Sequence, residues 1–197
     1  MKKKNIVSFI IILFIYIFTP LLILFNPPLY NYKFVFLVVL AILIYLGFRF
    51  IGVKNEELGI TKKKWKESLK SISNFTIFLI IVVLILKTFK FQRFNPTETF
   101  SFYIFYIFTS SPAQEFLYRG IFKYFESTKV ISSKTALILS SVLYSFVHIM
   151  YKDIFLLTIT FFIGLLWYVT YGKTNNLLGV SISHAVLGVA TIALGFI

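Results

Sequence analysis

The sequence predicts an all-α protein, a polytopic membrane helix bundle of about seven transmembrane helices. Three observations predict it. Only 14% of the 197 residues are charged, where a soluble domain carries about a quarter. Hydrophobic residues make up 58% and aromatic residues 20%. The apolar residues also arrive in long blocks rather than short alternations, and a membrane span needs about 20 of them in a row.

The blocks follow in order. The first, 5–25, comes after Lys2, Lys3 and Lys4 and is too long for the apolar core of a signal peptide. Asn26-Pro27-Pro28 follows it in place of a small-residue cleavage site, so a retained helix is expected. The next blocks are 32–52 and 72–86, and then 99–125, which is interrupted in its middle. The last three are 135–151, 154–171 and 177–197. No internal repeat is visible, and the chain 1–197 is expected to form a single integral-membrane domain.

Positive charge orients the spans, because cytoplasmic loops retain Lys and Arg. With a cytoplasmic N-terminus, 15 of the 20 Lys and Arg fall on the inside and five on the outside. This predicts a multi-pass plasma-membrane protein with its N-terminus in the cytoplasm. The longest polar stretch, 53–70, contains Lys62-Lys63-Lys64-Trp65-Lys66. It suits a short helix lying on the inner leaflet, with Leu58, Trp65 and Leu69 on one side, or equally a solvated loop. The net charge of +13 is spread over short loops between apolar blocks. It is therefore expected to meet anionic lipid headgroups and not nucleic acid. The absence of cysteine excludes disulfides, thiolate metal sites and cysteine nucleophiles.

Ionisable side chains at membrane depth cost at least about 2.5 kcal/mol each and point to function. Glu115 with Arg119, His148 and His184 are the candidates. In Ser111-Pro112-Ala113-Gln114 the first residue suits an N-cap, Pro112 the first helical position and Gln114 the third. A helix is therefore expected to start at Ser111 and run to about Glu126 or Ser127. Glu115 and Arg119, four apart, share a face and can pair. With a turn near Val130, Glu115 and His148 lie roughly 22 and 27 Å from it at 1.5 Å per residue. An antiparallel hairpin then brings them to one depth. His184 sits among small residues in the last block. Glu115, His148 and His184 together could also hold a metal ion with one open position.

At these residues the chain resembles the CPBP family of intramembrane proteases, also called the Abi or CAAX-protease family. It includes bacteriocin-processing and immunity proteins. The family's motifs are Glu-Glu-x-x-x-Arg, Phe-x-x-x-His and His-x-x-x-Asn on three spans. Gln114-Glu115-Phe116-Leu117-Tyr118-Arg119 resembles the first, Tyr144 to His148 the second and His184 to Gly188 the third. The resemblance covers about 99–197. It implies an endopeptidase acting on peptide or membrane-protein substrates, with Glu115, His148 and His184 catalytic and Gln114, Arg119, Tyr144 and Gly188 in support. It also implies that the first Glu and first His activate water, while the second His and the Asn stabilise the oxyanion. Here the first Glu is Gln114 and the Asn is Gly188. An amide is no general base near neutral pH, and glycine offers no side-chain donor. These departures keep a second expectation open: a non-proteolytic binding or regulatory protein, for example in bacteriocin immunity or envelope control. A proton-coupled carrier using the same residues is a third, but it predicts inverted repeats that the sequence lacks.

Overall fold

A computed structural model describes residues 2–197, with side chains from Asn5 onward. The side chains of Lys2, Lys3 and Lys4, read above as cytoplasmic charges, lie outside the described residues. Among the described residues 82% are helical and none forms a strand.

Among the described residues seven helices make up the bundle. Helix α1 is Lys2–Phe25, and Pro27 stops it by opening a 3-10 turn, Pro27–Tyr32. Helix α2 is Lys33–Phe50 and α3 is Trp65–Thr88. Helix α4 covers 100–127 without a break, although its hydrogen-bond ladder changes twice. Helix α5, Ser133–Phe146, continues as a 3-10 turn, Val147–Tyr151. Helix α6 is Ile154–Thr174 and α7 is Leu177–Ala193. Side-chain oxygens of Thr99, Ser132, Asp153 and Asn176 cap the N-termini of α4 to α7. Each satisfies amide groups that lipid could not.

Among the described residues five helical stretches are long and apolar enough to cross a membrane: Asn5–Phe25, Pro27–Phe50, Trp65–Thr88, Ser133–Tyr151 and Ile154–Thr174. Helix α7 is apolar but 17 residues long, and α4 carries the buried charges. Large apolar side chains face outward around the bundle, including Phe14, Phe18, Leu43, Phe78 and Phe162. In water such a belt would be costly; against acyl chains it is the required surface.

Loops gather on two opposite faces. On one, Asn176 Nδ2 donates to the Thr61 and Lys63 carbonyls at 2.7 Å each, and Asn175 donates to Glu56. On the other, Arg93 pairs with Asp153, and the Tyr30 and Tyr151 rings meet edge to face.

Three local expectations are corrected. The third helix starts at Trp65, not at 72, so the lysine-rich segment supplies its first turns. Stretch 53–70 is neither one amphipathic helix nor a plain solvated loop. Leu58 is fully buried while Trp65 is exposed, and a 3-10 turn, Asn55–Leu58, ends at Gly59 with φ 78°. Its Leu58 carbonyl presses on α4 at Gly120, where a Cβ would come within 2.6 Å of it. The helix expected to begin at Ser111 begins instead after Thr99, and Ser110 and Ser111 are helical with no cap hydrogen bond. Pro112 is tolerated in mid-helix because the turn before it, Tyr106–Ser110, is a π-turn. The Ser111 amide there bonds the Tyr106 carbonyl, which widens the backbone where the proline ring would otherwise clash.

Candidate active site

A second π-turn, Phe116–Gly120, follows five residues later. Widened turns leave carbonyls outside the regular ladder, and these need partners. Tyr16 of α1 donates to the Leu117 carbonyl at 2.9 Å, and Ser140 of α5 donates to the Tyr118 carbonyl at 2.5 Å. The region of α4 that holds Gln114, Glu115 and Arg119 is thereby locked to its neighbours, and its helical phase departs from a uniform 3.6-residue turn.

Glu115 and Arg119 are both fully buried, with Arg119 Nε 3.2 Å from Glu115 Oε2. The contact is ionic without hydrogen-bond alignment, since neither atom finds a well-directed partner. Arg119 also lies over the Tyr144 ring at 4.5 Å and the Trp167 ring at 5.5 Å. The other carboxylate oxygen, Glu115 Oε1, accepts from His184 Nδ1 at 2.7 Å. A carboxylate only accepts, so Nδ1 carries a proton and the ring turns Nε2 away from Glu115. Trp167 stacks on the His184 ring with centroids 4.6 Å apart. The Tyr144 hydroxyl lies 3.4 Å from His184 Nε2.

His148 stands on the 3-10 turn that ends α5, with Nδ1 2.8 Å from the Tyr144 carbonyl. A carbonyl also only accepts, so Nδ1 is again the protonated nitrogen. In the neutral ring Nε2 is left with its lone pair.

A cavity of about 350 Å³ reaches these groups from Tyr30, Lys33 and Glu98, on the face of the 26–32 and 89–99 loops. Gln114, Tyr144, His148, His184 and Gly188 all line it. Glu115 and Arg119 do not. Their ion pair sits behind His184, while Gln114 faces the cavity and donates from Nε2 to Ser110 Oγ at 3.1 Å. The structure thus gathers every residue singled out in the sequence, but it gives Gln114 and Glu115 different surroundings. No hydrogen bond or ion pair joins Glu115 to His148 among the described residues. Glu115 is engaged by Arg119 and His184, and no group of three His, Asp or Glu among the described residues is placed to hold a metal ion. The side chains therefore do not fit the three-ligand site suggested by their types alone.

Sequence reasoning missed Tyr106 and Trp167, which frame His184 from either side. Both are aromatic residues in apolar runs, indistinguishable by pattern from core packing.

Residues 96–190 match the family described as type II CAAX prenyl endopeptidase Rce1-like. No curated protein and no solved structure matches the chain. The matched stretch contains all three motif regions and the cavity-lining Gln114, Tyr144, His148 and His184. Over that stretch the chain is similar to the Rce1-like type II CAAX prenyl endopeptidases.

Proposed function

We propose that the chain is an intramembrane endopeptidase that hydrolyses peptide bonds of membrane-associated substrates. It would sit in the plasma membrane with its N-terminus cytoplasmic. The observation that carries the reading is the cavity that brings the free Nε2 of His148 and the Glu115-oriented His184 to one floor. His148 takes a proton from water as the water oxygen attacks the scissile carbonyl carbon. The same proton then passes from His148 to the leaving amine as the C–N bond breaks. Gln114 holds the water by hydrogen bonding, in the place where the family carries a carboxylate. His184, its Nδ1–H held by Glu115, directs an Nε2–H at the developing oxyanion. Glu115 acts as the orienting group of that histidine, and Arg119 contacts its other oxygen.

The test compares peptide termini in membrane fractions from cells making wild type and His148→Ala at matched levels. New termini should appear with wild type and fall by at least about 10²-fold in the variant, the contribution of a positioned base. Gln114→Glu should raise their rate of formation. Identical termini would favour the second reading, a binding or regulatory protein of the immunity or envelope-control kind. The amide at the cavity-facing position 114 is what supports that reading.

A further inference from the structure

Gly188 occupies the position where the third motif has an asparagine, so the side-chain donor of that position is missing. The space it would fill is not empty. A Cβ built on Gly188 would come within 2.2 Å of the Tyr106 hydroxyl oxygen and 2.6 Å of its ring carbon Cζ. Tyr106 belongs to α4, at the start of the first π-turn, more than 80 residues away in sequence. Its ring lies edge to face with His184, centroids 5.9 Å apart. It lines the same cavity as Gln114, His148 and His184. Its hydroxyl makes no hydrogen bond among the described residues. Ser111 lies near enough to interact with it, yet the Ser111 hydroxyl also lacks an aligned partner.

We propose that the Tyr106 hydroxyl is the second oxyanion donor of this protein, standing where the asparagine side chain stands in its relatives. This rests on the endopeptidase reading above. Three observations support it together: the hydroxyl fills the volume that Gly188 vacates, it is free to donate, and it borders the cavity beside His184. A tyrosine O–H donates as an amide does, and it brings a rigid ring with few rotamers to hold its aim. The glycine is then a fitting partner and not simply a loss, since any side chain at 188 would collide with the tyrosine. No bond to Tyr106 is made or broken. The hydroxyl donates to the tetrahedral oxygen and is released when the carbonyl re-forms.

The experiment follows, over time, the termini that wild type produces and His148→Ala does not. Tyr106→Phe keeps the ring and should slow their formation by about 10²–10³-fold, the effect of losing one oxyanion donor. Its abundance and melting in detergent should match wild type. Gly188→Asn alone should be inactive through the clash. The exchanged pair, Tyr106→Ala with Gly188→Asn, restores a donor and should run at least about tenfold faster than Tyr106→Ala alone. A Tyr106→Phe rate within about twofold of wild type overturns the proposal and leaves the endopeptidase reading standing. An exchanged pair that folds normally but is no faster than Tyr106→Ala also overturns it, by reducing Tyr106 to packing. A wild type without new termini overturns both readings at once.

Discussion

One buried cation and one buried ring share a single carboxylate at the centre of the bundle. Glu115 contacts Arg119 with one oxygen and His184 with the other, and Arg119 is fully buried. Removing half of a buried ion pair is far worse than never having it, because the survivor keeps its desolvation cost without its attraction. Glu115→Gln preserves size and can still accept from His184, but it strands the fully buried Arg119. We expect it to destabilise the fold by about 3–5 kcal/mol, read as a lower melting temperature in detergent. Glu115→Gln combined with Arg119→Met should recover a large part of that loss while remaining poorly active. If the double variant melts no higher than the single one, the cost comes from the weaker, uncharged bond to His184 and not from the stranded charge. The pairing of Glu115 with Arg119 was legible in the sequence, since i and i+4 share a helix face. The bond to His184 was not. It depends on how α4 and α7 meet, which no local pattern encodes.

At the level of elements, the apolar blocks located the helices and the motif residues located the site. The phase of α4 was beyond reach. Ser111-Pro112-Ala113-Gln114 has the composition of a helix start, and local chemistry alone favours that reading. Two π-turns override it, and their partners, Tyr16 and Ser140, lie on other helices. For the same reason the sequence could not say which of Gln114 and Glu115 faces the cavity. The burial of Leu58 against Gly120 is equally tertiary. The far end of the bundle has its own clamp. Arg93 binds both carboxylate oxygens of Asp153, at 2.9 and 3.0 Å, tying the 89–99 loop to the start of α6. The Arg93 hydrogen bond holds the Asp153 carboxyl below its ordinary value of 3.8, against an opposing effect of burial. A folded-state value below the unfolded one means the stabilisation is present at neutral pH. It is lost as pH falls below the unfolded value and through the folded one. Asp153→Asn keeps the helix cap and removes the charge. Its melting temperature should lie below wild type at pH 7, and the two curves should converge below about pH 4. A constant gap across that range would mean the carboxylate charge plays no part in the clamp.

For the whole molecule, the two loop faces differ in charge in a way that decides where the cavity opens. The face bearing the 53–64 and 128–132 loops carries most of the Lys and Arg. Arg119, counted with that face by sequence position, is buried within α4 instead, which leaves 11 basic residues with described side chains there against five on the other face. The bias still favours the orientation proposed above, with that face cytoplasmic. The cavity reaches the opposite, less basic face, past Tyr30, Lys33 and Glu98. A cytoplasmic N-terminus therefore means that substrate enters from outside the cytoplasm or laterally from the outer part of the bilayer. The lack of native cysteine makes this directly testable with single introduced thiols. Lys63→Cys replaces an exposed side chain whose ion pair with Glu56 is open to solvent and so adds little to stability. Thr97→Cys lies in the exposed loop beside Glu98. A membrane-impermeant maleimide applied to intact cells should label the thiol at 97 and spare the one at 63 until the cells are lysed. The reverse pattern would turn the bundle over and place the cavity mouth in the cytoplasm. Substrates would then have to be sought among cytoplasmic peptides and the inner leaflet.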